Sequence, residues 1–262
     1  ERTEGERGAE FDDLLDEERA TPFDLVNGPL FKAKLVKLTE ESFSVILNAH
    51  HLVCDGWSYN VVTSDLSDLY NSRVKGEEPN LPPAPKFGTY VVESIKEEEQ
   101  RKGGGSEQYW LKRFADPVPP MLLPRDGKSS ESESDHRSLL ISERVNAEST
   151  RALKQIAGKS GATPFAILLG AFQILLTRIS REKRVVTLFP TAGQNTGDGN
   201  ENLVGHCVNF LPLIGEVDKD QPFADFLKKT QGEILDDLEH QDFTFGRLIQ
   251  LLPVNERPHV EA

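Results

Sequence analysis

The chain has 262 residues, 30 of them Lys or Arg and 43 Asp or Glu, for a formal net charge of −13 at pH 7. That length predicts one large domain or two small ones, able to fold without disulfides, and the acidic balance argues against a nucleic-acid binder, which needs clustered basic residues. Two cysteines, Cys54 and Cys207, make no disulfide framework and fit a reducing, cytoplasmic setting, and the longest apolar stretch, around residues 165–176, is interrupted by Gly170 and Gln173 and falls far short of a membrane span.

Residues 1–20 hold nine acids and three bases, a run read as a solvated helix or a frayed end rather than an interaction tail. The chain starts with Glu1 inside this run and reads as a piece cut from a longer polypeptide. Residues 30–38 and 43–51 alternate as strands around a turn at 39–42. Helical spacing follows over 57–70, through Val61, Val62, Leu66, Leu69 and Tyr70. After a Pro-rich loop at 79–85, helices are predicted over 87–100 and 107–114, broken by Gly103–Gly105. The Pro-containing stretch 117–124 and the Ser/Glu/Asp-rich 126–135 predict a crossing loop and a lobe boundary. The expected division is therefore 1–125, a linker at 126–136, and 137–262. In the second part a strand is expected over 137–145 and an amphipathic helix over 147–160. Thr163-Pro164 supplies a cap and first residue for a buried helix over 165–179. Strands at 185–189 and 208–213 flank a Gly- and Asn-rich loop at 191–202, and helices at 223–239 and 245–252 close the chain. Strands and helices mixed without strict alternation indicate an α/β or α+β layered fold.

The chemistry concentrates in His50-His51-Leu52-Val53-Cys54-Asp55-Gly56-Trp57-Ser58, where a strand stops and a helix starts. Strand side chains alternate, so the two histidines point in opposite directions and only one can line a given cavity. Asp55-Gly56 fits a tight turn, with Gly56 permitting a positive φ or a close backbone approach. Ser58 is a candidate cap for the helix that follows. Three readings compete: a pair of satisfied histidines in a turn; a metal site recruiting His50, His51, Cys54 and Asp55 with His206-Cys207; and acyl transfer with a histidine as general base. Opposed histidine directions and the lack of standard ligand spacing argue against the metal site.

The pattern His50-His51-x-x-x-Asp55-Gly56 resembles the signature of the condensation domains of nonribosomal peptide synthetases, a motif shared with other relatives of chloramphenicol acetyltransferase. Four further segments resemble that family in its order. They are Pro22-Phe23-Asp24-Leu25 through Gly28-Pro29-Leu30; Tyr109-Trp110 through Leu123-Pro124-Arg125-Asp126; Pro190-Thr191-Ala192-Gly193 through Val208-Asn209-Phe210-Leu211-Pro212-Leu213; and His240-Gln241 through Phe245.

The resemblance implies a two-lobed chloramphenicol acetyltransferase-like sandwich, each lobe a mixed sheet covered by helices, with the active site between lobes. It implies peptide-bond formation between an upstream carrier-tethered acyl or peptidyl thioester and the amine of a downstream carrier-tethered aminoacyl thioester. Substrates would ride on 4'-phosphopantetheine of peptidyl carrier proteins, with an adenylation domain adjacent and no cofactor or metal held by the domain itself. His51 would be the catalytic histidine, orienting or deprotonating the amine or stabilising the tetrahedral state. His50 would be a packing or hydrogen-bonding residue, with Trp57 and Ser58 completing the segment. Asp55 would pair with an arginine, Gly56 would leave room beside the thioester, and Asn209 would lie in the segment crossing the lobe junction. The chain departs from the pattern in four places. The Arg-His-x-x-Leu-Arg-Thr segment expected to supply that arginine is absent, Gln194 stands where arginine is usual, Thr244 where proline is usual, and His206-Cys207 where an aromatic pair is common. A non-catalytic carrier-binding module and an ester-forming acyltransferase are the alternative readings.

Overall fold

The computed structural model describes residues 4–119, 141–196, 199–253 and 257. The mixed α/β architecture has two compact units, residues 1–92 with 194–208, and residues 93–193 with 209–262. The linker expected at 126–136 lies outside the described residues, as does most of the strand expected over 137–145; residues 141–145 are not in a strand.

In the first unit, the acidic run forms α1 (Glu4–Ala20). Its last turn is anchored, because Asn48 donates from Nδ2 to the Glu18 carbonyl at 2.9 Å and Lys34 pairs with the Glu18 carboxylate. Strands β1 (Phe31–Lys37) and β2 (Phe43–Ala49) form an antiparallel hairpin in the register Phe31↔Ala49 to Lys37↔Phe43. The turn closes through Leu38 N–H to the Ser42 carbonyl at 2.9 Å. Helix α2 (Gly56–Lys75) follows and ends at Gly76, whose φ of 72° is the left-handed conformation that terminates helices. Helix α3 (Phe87–Gln100) gives its first residues to this unit and the rest to the second.

The second unit holds the main apolar core, in which Trp110, Phe114, Ile167, Leu211, Leu213, Leu227 and Leu248 are buried together. Its elements are α4 (Gly105–Arg113), α5 (Ala147–Ser160), α6 (Pro164–Ser180), β3 (Arg184–Ala192), β4 (Val208–Glu216), α7 (Phe223–Glu239) and α8 (Phe245–Leu251). Strands β3 and β4 pair, with Thr187 and Thr191 bonded to the Leu213 and Asn209 carbonyls. As expected, Thr163 caps α6, accepting from Ala166 N–H at 3.1 Å, with Pro164 at the first position. The burial expected for α6 holds on one face only. Ala166, Ile167, Gly170 and Leu176 are buried, whereas Phe165, Leu168, Phe172, Leu175 and Ile179 are exposed. Helical spacing gives the helix two apolar stripes, and only one has cover among the described residues.

Helix α4 is fastened to α7 by a polar cluster. Tyr109 donates its hydroxyl to Asp237 at 2.6 Å, Arg113 grips the same carboxylate at 3.2 and 3.3 Å and reaches Glu233 at 3.2 Å, and Trp110 Nε1 donates to the His240 carbonyl at 2.9 Å. Burial pushes the Asp237 carboxyl above its ordinary range, against the lowering effect of Tyr109 and Arg113. Tyr109→Phe removes one donor and leaves the Arg113 pair, so urea unfolding should show a loss of about 1–2 kcal/mol; an unchanged midpoint would mean the hydroxyl contributes nothing. Among the described residues, no single helix is long and apolar enough to cross a membrane.

Candidate active site

The histidine segment begins where β2 ends. His50 N–H still bonds the Leu30 carbonyl at 2.9 Å, extending the hairpin by one rung, and Val53 N–H to the His50 carbonyl at 3.0 Å turns the chain toward α2. The two rings have different neighbours. His50 lies edge-on to Phe23 with centroids 5.8 Å apart, and its Nδ1 accepts from Leu52 N–H at 3.1 Å. His51 is exposed, and its Nδ1 lies 2.9 Å from Nδ1 of His206, the rings 5.0 Å apart and inclined by 73°.

Asp55 is the N-cap of α2; Ser58, the expected cap, is instead its third residue. The reason is reach, since a cap side chain accepts from the N–H two or three positions on, and Asp55 does so to Ser58 at 2.9 Å. Asp55 is only 3% exposed. Its carboxylate also accepts from Ser58 Oγ at 2.8 Å, Gln194 Nε2 at 3.0 Å and Cys207 N–H at 3.0 Å. The resemblance implied an arginine partner; among the described residues none reaches it. Neutral donors satisfy the carboxylate, and Gln194 does so from the position where arginine is usual. Burial alone would raise the Asp55 carboxyl, but the Ser58, Cys207 and Gln194 hydrogen bonds outweigh it and hold it below its ordinary value.

Segment 194–208 completes this cluster. Ser58 Oγ accepts from Gly205 N–H at 3.0 Å, and its one proton faces both Asp55 and the Gly205 carbonyl at 2.9 Å. Trp57 Nε1 donates to the Glu201 carbonyl at 2.8 Å, fixing the first turn of α2 to the same segment. A Cβ at Gly205 would sit 2.2 Å from the Phe87 ring, so the approach of α3 to this segment requires glycine. Gly56 is different. Its φ is not positive and nothing lies within 4 Å of where its Cβ would be, so neither backbone reason expected for glycine applies there.

Asn209 falls in β4, in the second unit, where its Nδ2 donates to the Gln241 carbonyl at 2.9 Å. Thr244, in place of the usual proline, caps α8 by accepting from Arg247 N–H at 3.3 Å. Among the described residues, no three His, Cys, Asp or Glu side chains form a group that could hold a metal ion.

Both cysteines are buried free thiols beside Asp55. Burial and the Asp55 charge raise Cys54, and the same causes push Cys207 up to about 11. A thiol at that value is roughly 0.1% ionised at pH 8. Cys207 should therefore react with an aromatic disulfide reagent at least ~50-fold more slowly in the native chain than in urea, and Cys54, buried and raised in the same direction, should also be slowed; rapid native labelling would contradict their placement.

A family model described as Condensation domain matches residues 1–261, and the chain belongs to that family. A linear gramicidin synthase polypeptide of Brevibacillus parabrevis is 33% identical over 252 residues, covering 95% of this chain and 3% of the synthase. The first condensation domain of the calcium-dependent antibiotic synthetase, solved with a substrate analogue, superposes with a TM-score of 0.73 at 23% identity, over 92% of this chain and 53% of that one. The X-domain from teicoplanin biosynthesis gives a TM-score of 0.80 at 20% identity, over 93% and 55%. The chain thus spans about half the length of these solved structures and a small part of the synthase. Their likeness establishes the condensation-domain fold.

Proposed function

We propose that this chain catalyses peptide-bond formation in nonribosomal peptide synthesis, with His51 as the catalytic histidine. The donor is an acyl or peptidyl thioester on the phosphopantetheine of an upstream carrier protein; the acceptor is the amine of an aminoacyl thioester on a downstream carrier. Amine attack forms the C–N bond, the C–S bond breaks, and the upstream thiolate leaves. The proton lost by the amine passes through His51 to the thiolate or to water. A thioester is already activated and both reactants are tethered, so positioning supplies several kcal/mol of the barrier, and neither a nucleophilic serine nor a metal is demanded.

The observation that carries this reading is the exposed His51 ring at the end of β2, held beside a turn whose Asp55 cap is fully hydrogen-bonded. His50 serves the turn's packing, Asp55 and Ser58 its rigidity, and Trp57 its attachment to segment 194–208. The open space beside Gly56 suits a thioester arm, and Asn209 belongs to the crossing segment. An adenylation domain would load the downstream carrier, and the free thiols of Cys54 and Cys207 support a cytoplasmic setting. The test is incubation with two loaded carrier proteins and mass spectrometry of the downstream one. An amide-linked product is expected; carrier binding without product would favour a non-catalytic module, and an ester on a hydroxy-acyl acceptor would favour the ester-forming alternative.

A further inference from the structure

The contact between His51 and His206 has a definite chemical content. Two imidazole nitrogens 2.9 Å apart cannot both be bare, because their lone pairs would repel, and cannot both be protonated, because neither could accept. One proton therefore lies between the two Nδ1 atoms. With that nitrogen engaged, Nε2 is the only ring nitrogen of His51 left to meet a substrate amine. It is a base only if it is bare, which places the His51 proton on Nδ1 and makes His206 the acceptor, carrying its own proton on Nε2. In the reverse arrangement His51 presents an N–H and has no lone pair to offer.

We propose that His206 is a positioning residue for His51, accepting the Nδ1–H and thereby fixing the ring and the tautomer that leaves Nε2 free to take a proton from the amine. The proposal rests on the catalytic reading of His51. The backbone around His206 is well placed for the task, since its neighbours Gly205 and Cys207 are bonded to Ser58 and Asp55, the third residue and the N-cap of α2, which begins just after the His51 turn. The same segment thus locks both sides of the His51–His206 pair, although the two rings themselves are exposed. When His51 Nε2 takes the amine proton, the imidazolium already has its Nδ1–H bonded, and the charge is shared toward His206 without any rearrangement of heavy atoms. The proton then returns from Nε2 to the leaving thiolate or to water, and the pair is restored.

The test has a spectroscopic arm that needs no substrate. Two-bond 15N–1H correlation spectra of the full chain at pH 8, above the ordinary imidazole range, are expected to show His51 protonated on Nδ1 and bare on Nε2, with His206 the opposite. His206→Phe removes the acceptor and should shift His51 toward the Nε2–H form, with kcat for condensation falling about 10–100-fold and KM for the loaded carriers unchanged. His206→Asn places a carbonyl oxygen where Nδ1 stands and should restore both the His51 tautomer and most of kcat. Because the ring is exposed, both variants should keep the native circular dichroism. A wild-type spectrum with His51 protonated on Nε2 overturns the proposal, as does a His206→Phe chain with an unchanged tautomer. Absence of condensation by the wild-type chain with the expected tautomers present would count against the catalytic reading of His51, while leaving the His206 hydrogen bond established.

Discussion

Asp55→Ala is expected to destabilise the chain by about 3–5 kcal/mol, read as the loss in urea-unfolding free energy. The side chain is buried and accepts from Ser58 N–H, Ser58 Oγ, Gln194 Nε2 and Cys207 N–H. Deleting it removes the N-cap of α2, typically worth about 1 kcal/mol, and strands the buried Gln194 Nε2 and Cys207 N–H donors, each costing about 1–3 kcal/mol when it stands alone, whereas the Ser58 hydroxyl keeps the Gly205 carbonyl as an acceptor. Asp55→Asn should fall between, because its carbonyl oxygen can still accept while its NH2 faces donors where an acceptor is needed. A loss below 1 kcal/mol for Asp55→Ala would mean the network does not hold the two segments together. The pH dependence has a definite sign. Asp55 is held below its ordinary value in the native state, so the native chain binds its proton less readily than the unfolded chain does. The stability it contributes is full above the unfolded carboxylate range, near pH 4, and is lost as pH falls through the native value. Acid unfolding monitored by circular dichroism should therefore be less steep in Asp55→Ala than in the wild type.

His51→Ala is expected to lower condensation by about 10²–10⁴-fold, the usual span for removal of a general base, with the unfolding midpoint nearly unchanged. The ring is exposed and its contact is with another exposed ring, so its loss leaves no cavity. His50→Ala should behave in the opposite way. It loses the edge contact to Phe23 and the acceptor for Leu52 N–H, so stability falls first and rate follows only through the turn. Mass spectrometry of the downstream carrier separates the two, and full turnover by His51→Ala would remove His51 from the chemistry.

The local elements were readable because their causes are local. Helices α3, α5 and α7 begin and end where the sequence pattern predicts, and the β1–β2 hairpin follows from alternation on either side of a polar turn. Thr163-Pro164 marked the start of α6 for the same reason. What sequence could not convey was which distant residues meet. Gln194, Gly205 and Cys207 reach Asp55 and Ser58 across about 140–150 positions of chain, and no period or spacing encodes such a meeting. Gln194 and His206-Cys207 could be picked out only as departures from a family pattern, without a hint that the first replaces a cation by an amide or that the second sets a ring against His51. The exposed stripe of α6 escaped for a related reason. Apolar residues on two faces of a helix report that both are to be covered, and not which cover is at hand.

Segment 194–208 belongs to the first unit but is flanked in sequence by β3 and β4 of the second. During synthesis, the first 92 residues leave the ribosome without Gln194, Gly205, His206 and Cys207, and Asp55 then has only Ser58 among the donors that hold it in the finished fold. At about 5–20 residues per second, the missing donors arrive roughly 5–20 seconds later. The nascent first unit consequently waits in an incomplete state while most of the second is being made. A pause in translation before residue 208 would prolong the same gap, with the histidine motif present and its surroundings unbuilt.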